Sequence, residues 1–87
     1  MARIIEGIPV LAVEMISPSD TQEDINEKTE LYLTCGVAVV WIVNPYDQTV
    51  TVYKPKAEPV LFNVQQPLDG NPELPGFRVR VAEIFEI

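Results

Sequence analysis

Val10-Leu11-Ala12-Val13-Glu14-Met15-Ile16 is the stretch on which the fold turns. It is apolar apart from Glu14, and it is bounded by Gly7 and Pro9 on one side and Ser17-Pro18 on the other. A continuous apolar run of this length predicts a strand buried on both faces. Ser19-Asp20-Thr21-Gln22 then offers helix N-cap residues, with Ser19 and Gln22 at capping-box spacing. Asp20, Glu23 and Asp24 put negative charge at the helix N-terminus, where the macrodipole favours it. The helix is expected to run to about Cys35, with Gly36 supplying a left-handed cap.

Downstream the period becomes strand-like. Val39-Val40-Trp41-Ile42-Val43 is a second buried run, and Asn44-Pro45-Tyr46-Asp47-Gln48 carries turn chemistry. Thr49-Val50-Thr51-Val52-Tyr53 alternates and reads as the returning arm of a hairpin. Lys54-Pro55-Lys56-Ala57-Glu58-Pro59 is a loop, followed by a strand over Val60-Leu61-Phe62-Asn63-Val64. Residues 65–76, with three prolines and two glycines, read as loop. Phe77-Arg78-Val79-Arg80-Val81 alternates again, and residues 82–87 form a short helical turn. The expected fold is α/β: a small mixed β-sheet with one main helix packed on it.

The chain has 87 residues, enough for a single domain over residues 1–87. A chain this short buries only about 60% of its unfolded surface, so a monomer has little stability to spare. Apolar residues make up 47% of the sequence, which argues against disorder and for a packed core. Six basic residues against 13 acidic ones leave a net charge of −7, which does not support gripping DNA by charge. There is no histidine, so imidazole-based triads and histidine metal sites are excluded. Cys35 is the sole cysteine, which rules out an internal disulfide and fits a reducing compartment. No apolar run approaches the roughly 20 residues that cross a bilayer. Met1-Ala2-Arg3-Ile4-Ile5-Glu6-Gly7 is too short and too acidic for a signal peptide, so a cytoplasmic chain is expected.

Two residues break the apolar pattern. Glu14 lies within the most apolar strand and shares a face with Ala12 and Ile16. Removing a bare carboxylate from water costs several kcal/mol, so it needs a partner, water, a metal or a proton. Lys28 interrupts a helix stripe of Ile25, Leu31, Tyr32 and Cys35. A helix folding back over its preceding strand brings Lys28 and Glu14 to similar depth, at about 10 Å from the turn. On periodicity the pairing reads first as a structural ion pair or a snorkelling lysine, and second as a site. Tyr32 reads as a core aromatic that could orient Lys28. Trp41 and Tyr53 read as core, Arg78 and Arg80 as a solvated face, and Lys54 and Lys56 as loop charges. Cys35 is expected at a buried helix end, and Ser17 at the strand exit.

Pro9-Val10-Leu11-Ala12-Val13-Glu14-Met15-Ile16-Ser17-Pro18-Ser19, Glu27-Lys28, Tyr32, Gly36-Val37 and Val40-Trp41-Ile42-Val43-Asn44-Pro45 together resemble the Uma-type restriction endonuclease family. Leu74-Pro75-Gly76-Phe77 and Ala82-Glu83-Ile84-Phe85 resemble that family's ending. The family is assigned to the PD-(D/E)XK nuclease-like superfamily, in which a mixed sheet holds an acidic pair for Mg²⁺ and a lysine near the attacking water. The resemblance implies a Mg²⁺- or Mn²⁺-dependent DNA endonuclease site, with Glu14 as metal ligand and catalytic residue. The superfamily's lysine, normally two positions after the glutamate, is Ile16 here, and Lys28 is implied as its migrated substitute.

Family members are about twice as long, and their first aspartate comes from a strand before the one bearing the glutamate. Upstream of Pro9 the only acid is Glu6. The chain is therefore expected to correspond to the C-terminal half of a restriction-endonuclease-like fold, as a truncated or partial member with weak or no activity alone. The alternatives are a non-enzymatic oligomerisation module, or a subunit whose metal site a partner chain completes. An open strand edge over residues 10–16 predicts a homodimer.

Overall fold

A computed structural model describes residues 9–86; Glu6 and the remainder of residues 1–8, with Ile87, lie outside the described residues. Strand β1 (Leu11–Met15) leads into helix α1 (Gln22–Thr34), then strands β2 (Val39–Asn44), β3 (Thr49–Tyr53) and β4 (Val60–Phe62). Strands β5 (Pro67–Asp69) and β6 (Arg78–Arg80) follow, and helix α2 (Val81–Ile84) ends the described chain. The main sheet is ordered β1-β2-β3-β4, with β1 parallel to β2 and the other neighbours antiparallel. A parallel pair needs a crossover, and α1 supplies it.

β2 is the central strand, and it is buried from Val39 to Val43. Its alternation feeds two cores. Val40 and Ile42 pack with Val37, Ala12, Ile16, Ile25, Tyr32 and Leu33 under the helix. Val39, Trp41 and Val43 pack with Val50, Leu68 and Val81 on the opposite face. Each such side chain withdrawn from water contributes about 1.5–3 kcal/mol, so the two faces of β2 hold the fold together. The second face is covered by the β5–β6 hairpin and α2. The loop expected over residues 65–76 therefore contains a strand, because Leu68, 1% exposed, is drawn into that core. Pro67 is tolerated as the first residue of a two-stranded edge.

The helix begins one capping box later than expected. Thr21 accepts from Asp24 N–H at 3.1 Å, and Asp24 accepts in return from Thr21 N–H at 3.0 Å. Ser19 is not the cap because Asp20 folds back on Ser17, closing a turn that ends at Thr21. The C-terminus matches expectation: Cys35 is the C-cap, and Gly36 takes φ 102°, a left-handed value that suits glycine. The inward helix stripe is Ile25, Thr29, Tyr32 and Leu33, with Thr29 buried and the others half-buried, whereas Leu31 and Cys35 are exposed. Positions 31 and 35 fall beside the 25–29–32 row and look past the narrow sheet. Cys35 is thus a free, exposed thiol, not a buried one.

β1 is not buried on both faces. Ala12, Glu14 and Ile16 turn toward α1, while Val13 and Met15 on the other face remain 54% and 63% exposed. The hairpin layer caps β2 and β3 and stops short of β1. The strand over residues 60–64 ends at Phe62, since Asn63 accepts from Gln65 N–H at 3.0 Å and opens a turn. Among the described residues no helix is long and apolar enough to cross a membrane.

Candidate active site

The parallel β1–β2 pairing sets Glu14 opposite Ile42 on the helix side of the sheet. α1 returns over that face and lays Lys28 and Tyr32, one turn apart, above it. Lys28 Nζ stands 3.8 Å from Glu14 Oε2, and Tyr32 donates its hydroxyl to Glu14 Oε1 at 2.5 Å. The two residues singled out by the sequence therefore meet. The Lys28 side chain is 55% exposed and that of Glu14 29% exposed, so the pair faces water at the strand end rather than a dry core. An ion pair this long and this wet contributes little to stability.

Tyr32 does what its core reading expects and more. Its ring packs in the helix-side core, and its hydroxyl grips Glu14 rather than Lys28. The bond to the carboxylate pushes the phenol above its ordinary value, with desolvation and the glutamate charge acting in the same direction. The signal was the spacing of four from Lys28, which stacks both side chains over the same patch of sheet.

Asp20 is the residue that sequence reasoning read only as helix-end charge. Its carboxylate accepts from Ser17 N–H at 2.8 Å and Ser17 Oγ at 3.1 Å. The Ser17 N–H bond, then the hydroxyl bond and the Lys28 charge, hold Asp20 below the usual carboxylate range against a small opposing burial. Asp20 lines a cleft with Glu14, Ile16, Ile25 and Lys28, and its volume of about 10 Å³ suits one water or small cation. Ser17 is a turn donor, as expected of a strand exit.

The acidic side chains lining this cleft, Glu14 and Asp20, offer carboxylate oxygen, which suits Mg²⁺ or Mn²⁺ rather than a thiolate-seeking metal. Among the described residues no group of three or more His, Cys, Asp or Glu side chains gathers at any point. Glu14 and Asp20 beside the cleft supply two carboxylates, a number Mg²⁺ commonly takes from a protein.

The other weighed residues lie elsewhere. Trp41 is buried on the opposite face, with its ring centroid 5.6 Å from that of Phe77, and Tyr53 packs under the helix. Arg78 and Arg80 are exposed, and Arg80 reaches Glu83 at 3.4 Å. Lys54, read as a loop charge, pairs with Glu73 at 2.9 Å and ties the end of β3 to the loop after β5.

Comparison with known proteins places the fold and the family. No curated protein matches the chain. A crystal structure of a putative nuclease belonging to DUF820 from Anabaena variabilis superposes with a TM-score of 0.76 at 22% identity. The match takes in 86% of this chain and 42% of that one, so the chain spans less than half of the solved relative. Its fold is a nuclease-like one. The profile of the Uma2 family, described as "Putative restriction endonuclease", matches residues 2–82. The chain, nearly end to end, belongs to the Uma2 family of putative restriction endonucleases.

Proposed function

We propose that Glu14, Lys28 and Tyr32 form the acid–amine centre of a divalent-cation-dependent DNA phosphodiesterase. The observation that carries this reading is one carboxylate held from both sides, by a phenol on one oxygen and an ammonium near the other. Glu14 and Asp20 would hold Mg²⁺ or Mn²⁺, which supplies Lewis-acid polarisation of a phosphate oxygen and a more acidic bound water when present. Tyr32 orients Glu14 by fixing Oε1, leaving Oε2 toward Lys28. Lys28, flexible and exposed, brings positive charge to where a phosphodiester gains negative charge during attack. The net charge of −7 opposes the approach of DNA, so one chain by itself cleaves slowly.

Plasmid nicking in Mg²⁺ or Mn²⁺ tests the reading. Wild type should nick, and Glu14→Gln and Lys28→Met should not; equal activity in all three, or none in wild type, ends it. A second reading is a fold retained for association without cleavage. It is favoured by the acidic surface and by the exposed Val13 and Met15, and the same assay decides between the two.

A further inference from the structure

We infer that Lys28 is the stand-in counter-ion of the cation site: its ammonium and a divalent cation compete for Glu14 Oε2, so loading the site releases Lys28 to the cleft mouth. This rests on the proposed nuclease reading and deepens it, by giving the lysine one place before the cation binds and another after.

Each acid of the cleft is half committed. Tyr32 donates to Glu14 Oε1 at 2.5 Å, and Lys28 Nζ faces the remaining oxygen, Oε2, at 3.8 Å. Asp20 shows the same division. Ser17 N–H at 2.8 Å and Ser17 Oγ at 3.1 Å both donate to Oδ2, which leaves Oδ1 outside that clamp. The tied oxygens are held by neutral donors of fixed position, a phenol on a packed ring on one side and a turn on the other. A cation seeking the glutamate therefore meets Oε2, and at Oε2 it meets Lys28.

Charge and space keep ammonium and cation from sharing that place. Like charges a few ångströms apart repel more strongly where apolar walls reduce screening, and Ile16, Ile25 and Ile42 form such walls here. The cleft volume of about 10 Å³ is room for one centre. Lys28 is the partner that can yield. Its side chain is 55% exposed, Glu14 is the one acid it pairs with among the described residues, and a pair this long and wet is weak. Its flexible stem lets the ammonium move outward while α1 stays where it is.

The pairing has a use before any cation binds. Two carboxylates on one cleft repel each other, and an ammonium lining the same cleft offsets that repulsion. Once a cation takes over the task, Lys28 carries its charge to the mouth, where the phosphodiester of the proposed reaction would approach. The weakness of the ion pair belongs to this arrangement, because a tight one would keep the cation out.

Mn²⁺ binding at low ionic strength, read from the free-ion electron paramagnetic resonance signal, tests the competition. The samples are wild type, Lys28→Met, Tyr32→Phe, the double variant of those two, and Glu14→Gln, with circular dichroism as the check of folding. Tyr32→Phe is the discriminating background, because it releases Oε1 and lets a cation reach Glu14 without evicting Lys28. Lys28→Met should bind Mn²⁺ about tenfold or more tightly than wild type. In the Tyr32→Phe background the same change should gain less than about threefold. Glu14→Gln should weaken binding at least about tenfold. An equal gain in both backgrounds means plain charge repulsion and overturns the inference, as does no gain in either. Those two results leave the nuclease reading standing. Mn²⁺ binding that is absent from every sample, or that ignores Glu14→Gln, ends that reading and the inference with it.

Discussion

Tyr32 donates its hydroxyl to Glu14 across the gap between helix and first strand, closing a contact between residues 18 apart in sequence. The hydroxyl takes Oε1 and leaves Oε2 toward Lys28, so the carboxylate is anchored by the neutral partner rather than the charged one. That division separates what stabilises the fold from what the proposed chemistry uses.

Tyr32→Phe should cost about 0.5–1.5 kcal/mol in urea unfolding, the usual value of a part-buried hydrogen bond. The sign with pH follows from the phenol's raised folded value. The contribution is fully present below the unfolded value near 10 and is lost as pH rises through the folded value. The stability gap between wild type and variant should hold at neutral pH and narrow above pH about 10.

Lys28→Met should change stability by no more than about 0.5 kcal/mol, because the ion pair is 3.8 Å long and more than half of the lysine side chain is in water. Nicking should fall at least about tenfold in the same protein. A large loss of stability in the unfolding curve would instead make the lysine structural.

Glu73, held by Lys54 at 2.9 Å, governs part of the acid limb. The hydrogen bond to Lys54 lowers its carboxyl below the ordinary 4.5. The stabilisation is therefore present above that value and lost as pH falls through the folded one. Thermal midpoints of Glu73→Gln and Lys54→Met should lie below wild type at pH 7 and converge with it under acid conditions.

Leu68→Ala should be among the most damaging single changes, at about 2–5 kcal/mol. Leu68 is 1% exposed and joins the hairpin to the core around Trp41. Denaturant unfolding followed by Trp41 fluorescence checks it.

Gly70→Ala should destabilise by about 1–3 kcal/mol, because an added Cβ would lie 2.8 Å from Leu74 Cβ and 2.9 Å from Leu74 O. The matching control is Gly76→Ala, which meets no atom within 4 Å and suffers only from its φ of +81°. Comparing the two unfolding curves separates steric crowding from backbone strain.

Much of the architecture was legible from local pattern. The β2 and β3 segments, the helix with its Gly36 exit and the strand–helix–strand unit follow from periodicity and turn residues, whose causes lie within a few positions of each other. The cap was misplaced because Ser19 and Thr21 compete over one short turn, and only the Asp20–Ser17 hydrogen bonds settle it in favour of Thr21. The strand at Leu68 escaped notice among prolines because nothing local marks it; its pairing partners are 11 residues away at Val79.

The candidate site divides the same way. A carboxylate inside a greasy run and a lysine on the next helix announce themselves by being out of place, so Glu14 and Lys28 could be read from residue type and spacing alone. The choice of Tyr32 over Lys28 as the carboxylate's close partner, the inclusion of Asp20 in the cleft and the open face of β1 required the folded chain. Each depends on how far one layer reaches over another, and that is decided by packing between distant segments rather than by the propensities of neighbours.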